Sequence, residues 1–299
     1  TPGFCYSLAA VPWWSPTCIG ALEPFADRGP EGTEGPAGKP LASFPDAGVS
    51  AAAEGVLAGA WRRVEAAYIA GECELSVEGI GRFRIGPAGI AVEAESPESE
   101  PCPVLEALLG PALLLSLAAS RRFALHASAA LTGQRELLLF VGESGAGKST
   151  LARFLGSRPR WQPVADDVLP VRWHAGTLEA LPWFPQLKLG RLGQYAGGGM
   201  PQALRVSRVF VVEMGSETSD VSVEPVGHFD ALTALVRQTV SSRLFSPSML
   251  GMHLEDFGHV AMSVPIYRLR VPRALERLGE VEEVLSRFSE ANGGATGSR

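Results

Sequence analysis

The chain has 299 residues, 46% of them hydrophobic and 19% charged, enough for one large domain or two smaller ones with a sizeable core. A net charge of −6 without a Lys/Arg run argues against nucleic acid as the main partner. Four cysteines with no C-x-x-C pair and no zinc spacing exclude a disulfide framework and predict a reducing, cytoplasmic setting; no basic segment precedes the first apolar residues, so no signal peptide is expected.

Residues 1–55 are rich in Pro, Gly and Ala, and Asp27–Pro40 reads as a flexible linker. Pro12-Trp13-Trp14 either tucks onto its own domain or anchors a partner. The segment lacks core periodicity, so deleting residues 1–50 is expected to leave ligand binding intact. Residues 56–120 form a small β/α region. Within it, 73–96 breaks into short β runs, with Arg82 and Arg84 flanking Phe83 so that one face is buried and one solvated. The apolar run 103–120 is interrupted by Glu106, Gly110 and Pro111, and predicts a buried helix broken near Pro111 rather than a membrane span.

Residues 121–292 form the main domain, followed by a disordered tail, 293–299. Phe123–Leu131 is a strand that turns through Thr132-Gly133-Gln134 and pairs as a hairpin with Glu136–Val141. That second strand runs straight into Gly142-Glu143-Ser144-Gly145-Ala146-Gly147-Lys148-Ser149-Thr150, which satisfies G-x-x-x-x-G-K-[ST]. A helix follows. Strand, glycine loop and helix make a phosphate cradle, with backbone N–H groups and the helix N-terminus facing one anion. Lys148 reaches the β/γ-phosphates and the Ser149 hydroxyl holds Mg²⁺.

The next strand, Trp161–Trp173, carries Asp166-Asp167 inside an apolar run, where unpaired charges are costly. Acids there can hold Mg²⁺ or take a proton from an attacking hydroxyl. Neighbours in a strand point to opposite faces, so both reach the phosphates only if the strand bends. His126, a lone histidine in an apolar run, is ordinarily a satisfied core residue. Leu178–Tyr195 reads as irregular loop, Val206–Met214 as a central strand, Phe229–Phe245 as a helix capped by Asp230, Val264–Pro272 as a late strand and Arg273–Asn292 as the final helix.

"LHASA" (Leu125–Ala129), "GESGAGKST" and "VADDV" (Val164–Val168) stand in the order and spacing of one group. Over about residues 120–272 the chain resembles the HPr kinase/phosphorylase family, in particular its shorter relatives in biosynthetic clusters for ribosomally made peptides, some of which phosphorylate a serine of a lasso-peptide precursor. "FPQLKL" (Phe184–Leu189) and "VPIYRLRVP" resemble later landmarks of that group. The resemblance implies an α/β P-loop kinase core with a mixed central sheet flanked by helices, here preceded by a small β-rich region. It implies ATP and Mg²⁺, with a serine on a peptide or small protein as acceptor. By the same resemblance Asp166 accepts the serine proton, Ser149 and Asp167 surround the metal, and His126 lies near the acids. Larger family members are hexamers, so the resemblance admits a homo-oligomer.

One departure stands out. The bifunctional enzymes carry E-x-R-G-L-G-I-I, whereas the nearest match, Lys188-Leu189-Gly190-Arg191-Leu192-Gly193, lacks the acid. A kinase without efficient phosphorolysis is therefore expected. Lys188, Arg191 and Arg243 are either phosphate-steadying cations or solvated surface residues. Two alternatives stay open: a small-molecule kinase, although no Arg-rich lid is evident, and a nucleotide-gated binding or transporter ATPase, although "RVFVVE" ends in Glu213 without a preceding Asp.

Overall fold

The structure, a computed structural model, describes residues 4–9, 11–15, 43–57, 59–87, 89–94, 101–182, 184 and 203–293. A hairpin comes first, β1 (Phe4–Leu8) and β2 (Val11–Ser15), with Leu8 and Ala9 buried in the main core. Five antiparallel strands then follow in sequence order: β3 (Val49–Leu57), β4 (Ala60–Ile69), β5 (Glu72–Val77), β6 (Gly81–Gly86) and β7 (Gly89–Ala94). Alternation places Val64, Ala66, Tyr68, Cys73, Leu75, Phe83 and Ile85 in the core, while Arg82 and Arg84 face water.

The apolar run that follows is two short helices, α1 (Pro101–Ala107) and α2 (Leu113–Ala119), joined by a widened turn at Leu108–Ala112. Gly110 leaves helical geometry (φ −89, ψ −110), and Pro111 cannot complete the ladder, so the break falls where those residues predict it.

The expected Phe123–Leu131 strand is two strands, β8 (Phe123–Leu125) and β9 (Ser128–Thr132). β10 (Leu137–Val141) pairs antiparallel with β9 as expected and leads into α3 (Lys148–Gly156). The expected Trp161–Trp173 strand also divides, into β11 (Trp161–Asp166) and β12 (Leu169–His174). β13 (Thr177–Ala180) turns back through Ala175-Gly176, both left-handed, and occupies residues read from sequence as loop. β14 (Leu204–Met214) is the long central strand, followed by β15 (Ser222–Pro225), α4 (His228–Arg237), α5 (Pro247–Ser263), β16 (Ile266–Val271) and α6 (Leu278–Gly293). The helix expected over 229–245 stops at Arg237. Its N-cap is Gly227, and Asp230 sits in the first turn without capping.

The strands run in the order β11-β9-β10-β14-β13-β12-β8, with β16 also on β14 and β15 on β16. β10, β14 and β16 are parallel. This is the expected mixed sheet flanked by helices, with an antiparallel sheet before it. Alternate residues of β10 feed two cores. Leu138 and Phe140 meet α3 and α6, while Leu137, Leu139 and Val141 meet α2, α4, α5 and the N-terminal sheet.

The chain near residue 50 is tied to that second core. Phe44 is buried against Tyr68 at 5.4 Å between ring centroids, and the Tyr68 hydroxyl donates to the Leu244 carbonyl. Asp46 accepts from the Ser248 N–H (3.0 Å) and Oγ (2.8 Å) in the first turn of α5, where helix donors lack partners. The contacts of Phe44 and Asp46 add a stability cost to the expectation that deleting residues 1–50 leaves ligand binding intact. The five-stranded sheet starts at Val49, inside the segment read as flexible, and deletion of 1–50 is expected to lower Tm by several degrees. Asp46→Ala alone should cost about 1 kcal/mol, read by denaturant unfolding.

His253 of α5 makes the core pH-sensitive. It is fully buried among Phe123, Phe245 and Phe257. The Thr239 hydroxyl gives its one proton to the Leu235 carbonyl (3.1 Å), so His253 Nε2 donates to Thr239 Oγ1 (2.8 Å) and Nδ1 is left bare. Burial holds the imidazole down at about 4, against the opposing pull of Asp256. The unfolded chain takes up this proton near the ordinary 6.5 and the folded one does not. Stability is thus complete above about pH 6.5 and falls toward pH 4, by about 3 kcal/mol from this group. Urea unfolding between pH 7 and 5 should show the loss, and His253→Gln should flatten it.

Candidate functional site

Gly142 follows β10 with φ +145, and a Cβ there would lie 2.6 Å from the Val212 carbonyl oxygen of β14. Only glycine fits between the two strands. Gly145 (φ +84) and Gly147 (φ +88) are left-handed too, and Gly147 caps α3. The chain therefore wraps a loop of backbone N–H groups over the helix start, the geometry that receives a phosphate. Lys148 is 5% exposed, and its Nζ donates to the carbonyls of Gly142 (2.6 Å) and Glu143 (3.1 Å), which holds the ammonium over the loop. Ser149 is half-buried, and Glu143, Ser144, Gly145 and Thr150 are exposed around the rim.

Two chain crossings bring the other expected residues to the same edge. β9 pairs with β10 and β11, while β8 pairs with β12 in the other half of the sheet. The chain changes halves at His126-Ala127 and again at Asp167-Val168, side by side. Asp167 makes the bend that both acids require: its φ is +93, a strained conformation for a residue with a side chain. His126 Nε2 lies 3.3 Å from Asp167 Oδ1, and its backbone N–H donates to the Gln238 carbonyl at 2.7 Å. This histidine is half-buried beside Asp167 and is not a core residue.

Asp166 ends β11 after a register shift between Pro163 and Ala165, and is 2% exposed. Ser128 Oγ donates to its Oδ1 at 2.8 Å, and Arg153 of α3 lies 3.7 Å from Oδ2. Neither partner was named from sequence. Both were within reach of it: Ser128 stands two residues after His126, and Arg153 stands one helical turn after Ser149. On the far side of the loop, Glu213, the last residue but one of β14, accepts from Arg268 Nε at 2.8 Å.

Two cavities flank this edge. One, about 390 Å³, touches Gly142, Glu143, Glu213, Asp230, Arg237 and Arg268. The other, about 540 Å³, touches His126, Asp167, Arg237 and Arg243. Arg237 lines both and has no hydrogen-bond or ion-pair partner among the described residues. Lys188 and Arg191, with the whole stretch compared with E-x-R-G-L-G-I-I, lie outside the described residues.

The donor set fits a nucleotide and Mg²⁺. Positive-φ glycines and a lysine suit phosphate oxygens, and a serine hydroxyl with neighbouring carboxylates suits a hard cation. Among the described residues no three His, Cys, Asp or Glu side chains converge to hold a metal by themselves.

No family model matches the chain, and no curated protein matches it. Among solved structures it is similar to the HPr(Ser) kinase/phosphatase from Coxiella burnetii, over 56% of this chain and 98% of that one, at 13% identity and a TM-score of 0.31. That likeness is too distant to assign an activity. Among the described residues no helix is long and apolar enough to cross a membrane.

Proposed function

We propose that the chain is an ATP- and Mg²⁺-dependent kinase that phosphorylates a serine hydroxyl of a peptide or small protein. The observation that carries this reading is the meeting of a phosphate loop and a buried, oriented carboxylate at one sheet edge, beside a cavity open to an acceptor. Bound ATP with Mg²⁺ would supply the phosphoryl group and the charge that activates it. The loop N–H groups and Lys148 would hold its phosphate oxygens, and Ser149 and Asp167 would hold the cation. Asp166 takes the proton from the acceptor hydroxyl, and Ser128 fixes Asp166 by engaging Oδ1. His126 braces Asp167. Arg237, which lines both cavities, would neutralise phosphate charge there, one of the two roles left open for Arg243 from sequence.

The sequence resemblance suggests a ribosomally made precursor peptide as the acceptor. The test is to incubate the protein with Mg-ATP and a panel of serine peptides, free serine and simple polyols, then read products by mass spectrometry. A phosphopeptide supports the proposal. A phosphorylated small molecule alone would replace it with the metabolite-kinase reading, and ADP release without any phosphorylated acceptor would replace it with a nucleotide-gated ATPase.

A further inference from the structure

The 540 Å³ cavity has the His126–Asp167 pair in its lining, and the body of its wall is not catalytic. It is built from β3, the widened turn between α1 and α2, and the segment after α4. Leu57, Leu109, Pro111, Leu114, Val168 and Leu244 give it an apolar lining. Its charged residues are of both signs, Glu54, Glu106 and Asp167 against Arg237 and Arg243, which favours no strongly charged ligand.

The apolar surface continues outside the cavity. Val56 lines it and pairs across the hairpin with Trp61, so both side chains stand on one face of the sheet. They are 67% and 69% exposed. Leaving a tryptophan and a valine in water beside a cavity is unfavourable unless something covers them. A metabolite filling the cavity would meet Val56 but leave Trp61, which is outside the lining, uncovered. β3 is also the last strand of its sheet among the described residues, so its outer edge can receive an extended chain.

We propose that β3 and the Val56–Trp61 pair form the docking surface for the acceptor, an extended polypeptide with a large apolar residue near its serine. The apolar residue packs on Val56 and Trp61, and the serine enters the cavity past Asp167 and His126 toward the adjoining Asp166. Specificity would then be set by the N-terminal sheet and phosphoryl transfer by the P-loop core. The inference rests on the kinase reading, but docking and transfer can be measured separately.

The probes are two dansyl-labelled heptapeptides with a central serine, one flanked by leucines and one by glutamines, with free L-serine as competitor. Anisotropy should show the leucine peptide binding about tenfold more tightly than the glutamine peptide, as expected for burying one aliphatic side chain. Trp61→Ser and Val56→Asp should each remove that difference. Phe229→Ser, at an exposed phenylalanine on α4, serves as control and should leave it unchanged; Tm checks that all variants fold. Equal affinity for the two peptides, insensitivity to Trp61→Ser, or displacement by free serine at peptide-like concentrations would overturn the proposal. If the leucine peptide binds through Trp61 but gains no phosphate, the docking surface stands and the kinase reading fails. If peptides are phosphorylated with no dependence on Trp61, the kinase reading stands and the docking surface is refuted.

Discussion

Lys148→Ala is expected to abolish phosphoryl transfer and to weaken ATP binding. The ammonium is the one lysine charge in the loop, and the Gly142 and Glu143 carbonyls hold it in place from below. Alanine leaves those carbonyls facing the phosphates with no cation between them. A charge-assisted hydrogen bond lost at a bound anion is worth about 1.5–3 kcal/mol, or roughly ten- to a hundredfold in Kd. Removing a preorganised charge from the group in transit costs a further factor on the order of 10²–10³ in rate. Calorimetric titration with ATP and a single-turnover assay would separate the two losses. Wild-type turnover in this variant would remove the loop from the chemistry.

Asp166→Asn should behave differently. The amide oxygen can still accept from Ser128, and the side chain keeps its volume in a closed site, so folding and Mg-ATP binding should change little. The proton acceptor is gone, and transfer should fall by about 10²–10⁴-fold. Asp167→Asn should instead change the Mg²⁺ requirement, because it alters the residue braced by His126 at 3.3 Å. A purely catalytic defect in Asp167→Asn with a metal defect in Asp166→Asn would mean that the two acids have exchanged roles.

The loop was legible in the sequence because its constraints are local. Each glycine answers a backbone requirement, and an apolar strand and helix flank it in the right order. The fold class came with the family resemblance that this loop, "LHASA" and "VADDV" carry together. The two crossings were not legible. Periodicity marks Phe123–Leu131 and Trp161–Trp173 as strand but cannot tell that each run leaves one half of the sheet for the other. The bend expected at Asp166-Asp167 was deduced from chemistry, and its backbone form, a left-handed Asp167, appears only in the fold. β3 and β4 were missed because Val49–Ile69 is alanine-rich and weakly patterned. α5 was missed although Ser246-Pro247 is a sound start signal, since Gly251 and Gly258 dilute its helical pattern. Ser128 and Arg153 matter through Asp166, and Arg237 through the two cavities it lines, which spacing alone does not reveal.

The destination of the γ-phosphoryl group separates a serine kinase from an ATPase. Phosphorus NMR of the wild-type protein with Mg-ATP and the leucine-flanked serine peptide follows that group directly. The expected result is a phosphomonoester signal growing as the γ-phosphate signal of ATP declines, present with the peptide, absent without it, and absent in Asp166→Asn. Growth of inorganic phosphate alone, at the same rate with and without peptide, would contradict the account.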